Sequence, residues 1–235
     1  MSSSPDLQIA NRLLAALPEA EYEHLFAQLE HVEMPMGAVL YHPTEQMQQV
    51  YFPNTGTISV LAMVSTGTSV EIGMVGNEGM FGIPVVLGTA TAPTQAVVQI
   101  PGEGLMLSAD VLREEFKRGG VLQDLILRYT QGFIIQISQT AVCNSLHSIT
   151  ERLPRWLLMC HDRARSDELP LTHEFLAEML AVRRAGVTEA AGRLQGQGLI
   201  SYQRGLITIL DRAGLEAASC ECYTEVKEEF RRLLM

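Results

Sequence analysis

LTHEFLAEMLAVRRAGVTEAAGRLQGQGLISYQRGLITIL, residues 171–210, is the stretch whose reading decides the fold. Two short helical patterns meet at a tight turn and an apolar two-strand hairpin follows, the order of a winged helix-turn-helix. Thr172 suits the N-cap of the first helix, its hydroxyl accepting from a free N–H of the first turn. Glu174 sits in that turn, where a carboxylate favours the positive end of the dipole. Leu176, Met179 and Leu180 fall on one face with Ala177 beside them. Ala181-Val182-Arg183 is the turn. The second helix starts near Arg184, and Val187, Ala190, Ala191 and Leu194 follow i, i+3, i+4, i+7, so they pack inward. Gly196 and Gly198 end that helix. Leu199–Tyr202 and Leu206–Ile209 are strands, with Gln203-Arg204-Gly205 turning between them.

The opposite face of the second helix carries Arg184, Ala185, Thr188 and Glu189, the side chains placed to reach base edges in a major groove. Arg184 suits guanine O6/N7 and Glu189 the cytosine amino group. Arg183 opens the same helix, and Arg204 at the hairpin tip suits a phosphate. Helix-turn-helix shapes also occur as plain helical corners. The wing, its tip arginine and the Arg183-Arg184 pair favour DNA binding over that reading.

The pattern from Leu171-Thr172 to Leu199-Ile200-Ser201 resembles the C-terminal part of the Crp/Fnr family of bacterial transcription regulators, and the likeness covers nearly the whole chain. The resemblance implies an N-terminal β-roll, a long dimer helix and a C-terminal DNA reader. It also implies that Thr172 and His173 take backbone-contacting positions, and that Arg184, Ala185, Thr188 and Glu189 take base-reading ones. The family often has Glu where Ala185 stands and Arg where Glu189 stands, so a different operator sequence is expected. It usually has Gly where Ala181 stands; if that residue is left-handed here, alanine costs about 1 kcal/mol.

Composition fits this plan. A length of 235 residues favours two domains, and 47% apolar residues suffice for their cores. No run of 18 apolar residues marks a transmembrane helix, and MSSSPDLQ has neither the basic nor the apolar region of a signal peptide. Four irregularly spaced cysteines give no disulfide framework or zinc pattern, and a cytoplasmic location is expected. The net charge of −10 runs against a nucleic-acid partner, but residues 171–210 hold four arginines against three glutamates. An acidic body weakens non-specific binding and leaves specificity to a few contacts.

Outward from the reader, residues 7–31 are helical by pattern, with Leu13, Leu14, Leu17, Tyr22, Leu25, Phe26 and Leu29 as the apolar set and Pro18 opening the second segment. From about 32 to 108, β-prone runs alternate with turn signals: 39–41, 50–52, 57–61, 70–72, 96–100 and 105–107. Such spacing suggests a small barrel or jelly roll. Ser108-Ala109-Asp110 starts a helix that restarts after Gly119-Gly120. Residues 121–147 form one long helix. Leu122, Ile126, Tyr129, Phe133, Ile137, Thr140 and Asn144 step close to a heptad and are the expected dimer seam. Ile134 and Ile135 broaden the apolar face, so packing on the chain's own roll is the competing role. Gly132 costs about 1 kcal/mol inside this helix unless close packing uses it. A new helix begins near Thr150, since Pro154 is tolerable only near a first turn. The hinge between sensor and reader is expected at about Asn144–Ile149.

The sensor is the least legible part. In the cyclic-nucleotide members of the resembled family, a Gly-Glu-Leu segment holds the ribose and an Arg-Ser-Ala type triplet pairs with the phosphate. The similar segment here is Gly79-Met80-Phe81-Gly82-Ile83-Pro84, and the triplet position reads Thr94-Gln95-Ala96. Both charged groups are absent, which argues against cyclic AMP. Gly82, Ile83, Thr94, Gln95, Ile137 and Ser138 are the candidate pocket for another effector, with backbone amides near Gly82 suited to a smaller anion. No cysteine precedes Cys143, so the N-terminal iron–sulfur centre of oxygen-sensing relatives has no ligands. Cys220-Glu221-Cys222 is close enough to bind a soft metal or oxidise, but two thiolates make an incomplete site, and no metal or cofactor is expected. His24, His31, His42, Cys143 and His147 are available to haem, with no spacing that singles one out. A catalytic cupin-like reading fails because the roll holds only His42 beyond His31 at its edge, and no GxSxG, P-loop or GxGxxG occurs.

The expected architecture is α+β: an N-terminal β-roll or jelly roll with flanking helices over 1–120, a dimerisation helix and hinge over 121–147, and a winged helix-turn-helix over 148–235. The expected partners are double-stranded DNA, a second copy of the chain and RNA polymerase, with no membrane and an unnamed effector. The expected function is non-enzymatic: a homodimeric regulator on a palindromic operator. The alternative is a small-molecule or protein-binding module with a vestigial reader.

Overall fold

The computed structural model describes residues 10–65, 67–164 and 166–234. Two short helices, α1 (Arg12–Ala15) and α2 (Glu19–Phe26), open it. Asn11 caps α1, and its Nδ2 donates to the carbonyls of Pro53 at 2.9 Å and Gly79 at 2.8 Å, which ties this opening to the body. The helical pattern expected through residue 31 stops at Phe26. Glu30–Met34 is instead strand β1, and residues 7–9 lie outside the described ones. Its charged residues hide the strand from a propensity reading, and pairing with a remote strand creates it.

The roll continues with β2 (Val39–Tyr41), β3 (Gln49–Pro53), β4 (Thr57–Met63), β5 (Ser69–Val75), helix α3 (Ile83–Leu87), β6 (Thr94–Ile100) and β7 (Gly102–Ser108). Two antiparallel sheets result, in the orders β1-β7-β3 and β2-β6-β4-β5. Their inner faces bury Phe52, Ile58, Val98, Leu105 and Leu107 as one core with Leu13, Leu14 and Leu25 of the opening helices.

Helix α4 (Ala109–Arg118) follows, and α5 (Val121–Leu146) restarts after Gly119 and Gly120, both at positive φ. The expected dimer seam requires correction at its N-terminal half. Leu122, Ile126 and Tyr129 are buried in the roll core, with Phe133 packed against it. Their periodicity is real, but their partner is the chain's own roll and helix α10 (Cys222–Leu234). Gly132 is used by close packing: a Cβ there would sit 3.0 Å from the Phe230 ring. The side of α5 left open carries Leu127 (48% exposed), Ile134 (57%) and Val142 (42%).

His147 leaves α5 in an extended conformation, and Ser148 opens α6 (Ile149–Ala164). The Ser148 N–H donates to Glu151 Oε2 at 2.9 Å, the return half of a capping box. Pro154 therefore lies in the second turn, deeper than expected, and leaves one intrahelical bond unmade. Leu153, Trp156, Leu157 and Cys160 are all buried, between the roll and the reader. The reader comprises β8 (Glu168–Leu169), α7 (His173–Met179), α8 (Arg184–Gly196), β9 (Ile200–Gln203), β10 (Leu206–Ile209) and α9 (Arg212–Ala218), with strand order β8-β10-β9. Helix α10 then returns to α5, and its Val226 and Phe230 join the roll core. Among the described residues no helix is long and apolar enough to cross a membrane.

Candidate nucleic-acid interface and sensor cavity

The reader forms as its local chemistry dictates. The Thr172 hydroxyl accepts from the Phe175 N–H at 3.2 Å and caps α7. Ala181 turns the chain at φ +50°, the left-handed conformation in which alanine is strained. Arg183 occupies the N-cap of α8 with no side-chain capping bond. Val187, Ala190, Ala191 and Leu194 are buried as the spacing predicts. Gly198 closes α8 at φ +75°. The hairpin turn is two residues, Arg204 and Gly205, at φ +50° and +84°, the signature of a type I′ turn. Gln203, counted in the expected turn, ends β9 opposite Leu206.

The exposed surface of this unit brings together Thr172, Arg183, Arg184, Ala185, Thr188, Glu189 and Arg204. Arg184 is held only loosely, its Nε 3.6 Å from Glu174 Oε2 with both side chains in solvent. Glu189 pairs with Arg193 at 2.7 Å one turn along. His173 departs from the expected role. Its ring is buried, stacked on Tyr202 with centroids 3.9 Å apart, and its Nδ1 lies 3.0 Å from Thr188 Oγ1. The Thr188 hydroxyl hydrogen goes to the Arg184 carbonyl, so His173 Nδ1 carries the proton and donates. Burial first, and the Arg184 charge second, lower the His173 pKa and keep the ring neutral. His173 thus braces α8 and the wing from behind; it does not present itself to a phosphate. Glu174, exposed beside Arg184, is the member of this surface that the sequence reading assigned only to the helix dipole.

The reader is docked on the roll. Ser69 Oγ donates to Glu178 Oε1 of α7 at 2.6 Å. Trp156 Nε1 donates to Glu71 Oε1 at 2.9 Å, and Arg163 binds Glu78 Oε1 through Nη2 at 2.6 Å. Both carboxylates belong to the roll and both donors to α6. Burial pushes the Glu71 pKa up to about 7, against lowering by its bonds to Ser59 and Trp156 and by Arg155 and Arg163.

A cavity of about 250 Å³ lies between the roll and α5. Of the candidate pocket residues, Gly82, Ile83, Thr94 and Ile137 line it, alongside Phe81 and Phe133. Gln95 and Ser138 do not. Strand alternation turns Gln95 away from its neighbour Thr94, and Ser138 is exposed on α5. The polar side chains that line it are Thr94 and Thr130, and the Thr130 hydroxyl is already spent on the Ile126 carbonyl at 2.8 Å. Among the described residues no charged side chain lines the cavity, so the place suits an apolar body better than the small anion suggested by Gly82.

The cysteines are also arranged differently from the sequence reading. The pair Cys220 and Cys222 does not stand alone, because Cys143 and His147 at the end of α5 meet it. His24 and His31, available for haem by composition, are engaged with Glu115 at 3.1 Å and Glu103 at 3.0 Å.

Residues 31–118 match the model of the cyclic nucleotide-binding domain, and residues 151–218 match that of the Crp-like helix-turn-helix domain. The chain is 23% identical over 180 residues to the global nitrogen regulator of Nostoc sp. (strain PCC 7120), covering 72% of this chain and 80% of that protein. It is 21% identical over 214 residues to the global nitrogen regulator of Synechococcus elongatus (strain PCC 7942), covering 87% and 96%. Its fold is similar to that of FixK2 from Bradyrhizobium japonicum, with a TM-score of 0.69 at 16% identity over 82% of this chain and 98% of that one. A CRP-family transcriptional regulator from Thermus thermophilus is similar at a TM-score of 0.65 and 18% identity, over 80% and 96%. Roll, long helix and winged reader follow one another here as the two matched domains require, and the chain belongs to the Crp/Fnr family of DNA-binding transcription regulators.

Proposed function

We propose that the protein acts as a homodimer that reads a palindromic operator and responds to an input at its roll. The observation that carries this reading is the outward face of α8, where Arg184, Ala185 and Glu189 are free of the body while Thr172, Arg183 and Arg204 flank them. Leu127, Ile134 and Val142 of α5 support the dimer: they form an unpartnered apolar stripe beside the polar steps Gln131 and Ser138. Two half-sites one DNA turn apart require such a dimer to hold its two α8 helices about 34 Å apart. The family and fold point to a non-enzyme.

The roll's input is an apolar small molecule in this reading, because the cavity offers no charged partner to a cyclic phosphate. Ligand entry against Phe133 and Ile137 changes how α5 sits, and the polar bonds from β5 to α6 and α7 carry that change to the reader. Selection of bound duplexes from a random pool, at about 150 mM salt and without nucleotide, tests the reading. A palindrome with half-sites one turn apart is the expected result. An Arg184→Ala, Arg204→Ala double variant loses about 1–3 kcal/mol of affinity for it from the base contact alone. Failure to enrich any sequence, with cyclic nucleotides and cell extract added in turn, favours the vestigial-reader alternative.

A further inference from the structure

At the corner between α5 and α6, four donor atoms face one another. Cys143 Sγ, His147, Cys220 Sγ and Cys222 Sγ all lie within 4.8 Å of each other. Cys143 Sγ and Cys220 Sγ are 3.5 Å apart, and Cys222 Sγ is 3.5 Å from His147 Nδ1. The three thiols form a small buried cluster of their own, separate from both larger cores. Cys143 stands in the last turn of α5 and His147, at i+4, is the helix C-cap, the His147 N–H donating to the Cys143 carbonyl. Cys222 opens α10 and Cys220 lies two residues before it, so the two pairs come from segments about 75 residues apart in the chain.

The geometry points to a structural zinc site with Cys143, His147, Cys220 and Cys222 as a closed set of four ligands. Zinc takes thiolates at about 2.3 Å and imidazole nitrogen at about 2.0–2.1 Å in a tetrahedron, whose edges are then about 3.5–3.8 Å. Both 3.5 Å separations lie close to those edges, and the remaining donor pairs lie within 4.8 Å, a span that side-chain rotation closes. An iron–sulfur cluster binds its cysteines through different irons and needs the sulfurs spread more widely than this corner holds them.

The surroundings supply a second, independent argument. His147 turns Nδ1 to the sulfurs, and its Nε2 lies 3.3 Å from Glu221 Oε1, the carboxylate–histidine arrangement that orients a metal-bound imidazole. Gln139 Nε2 donates to Cys222 Sγ at 3.3 Å, a bond that a thiolate accepts better than a thiol. Arg152 and Arg155 act on this corner with positive charge, which offsets the excess of three thiolates over one divalent ion. On binding, three S–H protons leave to solvent as three Zn–S bonds and one Zn–N bond form, with no change of oxidation state. With every position filled by protein, the ion has no catalytic vacancy. It pins the end of α5 to α10 at the hinge that separates sensor from reader.

The test uses the full chain, reduced and stripped of metal, titrated with Co²⁺. The expected result is one ion per protomer, with thiolate-to-cobalt charge-transfer bands and tetrahedral d–d bands that an equivalent of Zn²⁺ removes. Proton release of three per ion accompanies it. Cys222→Ser and His147→Ala abolish stoichiometric binding, Glu221→Gln weakens it by about 10–100-fold, and Cys160→Ala leaves it unchanged. If a ligand variant fails to fold, the titration of the natural chain decides alone. Absence of the bands with four reactive thiols overturns the proposal. So does a Cys143–Cys220 disulfide in freshly isolated protein, or iron with acid-labile sulfide in place of zinc.

Discussion

Glu71 sits inside the roll with its carboxylate accepting from Ser59 at 2.6 Å and Trp156 at 2.9 Å. Its pKa, pushed up to about 7 by burial, stands above the ordinary value, so the folded chain holds that proton more tightly than the unfolded one. Stability from this group is therefore full below the ordinary carboxylate range and falls as pH rises towards about 7. The whole effect is on the order of 3 kcal/mol at 1.36 kcal/mol per pKa unit. Glu71→Gln is expected to flatten that slope, read as urea midpoints between pH 4 and 8. Equal slopes in the two proteins would contradict the assignment. Ala181 offers a test of opposite sign: at φ +50°, Ala181→Gly gains about 1 kcal/mol in the same denaturation measurement. The strain at that residue was legible as a departure from the family's glycine. The placement of His173 was not, because its partners Thr188 and Tyr202 meet it only after the wing folds back.

Helix α5 shows what periodicity conveys and what it leaves open. The apolar steps were visible in the chain, and so was the cost of Gly132. Which stripe faces what depends on α10, whose Phe230 covers Tyr129 and Gly132 from far along the sequence. The inner and outer stripes therefore answer differently to substitution. Leu122→Ala is expected to lose about 2–5 kcal/mol of stability through a cavity in the roll core. Ile134→Glu should leave the fold intact and shift the sedimentation coefficient from dimer to monomer. A dimer that survives Ile134→Glu would remove α5 as the seam. The strands were legible in the chain except β1, whose charged residues pair with β7 at the roll's edge, and the two-residue β8, which only its pairing with β10 defines.

Across the whole molecule, the order roll, long helix, winged helix-turn-helix could be read from the chain, but the bonds that join roll to reader could not. Trp156–Glu71 and Arg163–Glu78 each span 85 positions, and Ser69–Glu178 spans 109. No local pattern marks such pairs. They make roll and reader one cooperative body, so calorimetry is expected to record a single transition, not two. Glu78→Ala strands the buried Arg163 guanidinium and should cost about 3–5 kcal/mol, lowering that one transition as a whole. Two separated transitions in the natural protein would show that the joint contributes little.

Trp156 is the one tryptophan in the chain, and it stands at this joint with its indole N–H on a carboxyl that titrates near neutrality. The protein thus carries its own fluorophore at the boundary that the proposed signal has to cross. Emission maximum and lifetime will follow the wetting of that boundary, and their pH titration will follow the charge on Glu71, with no dye attached.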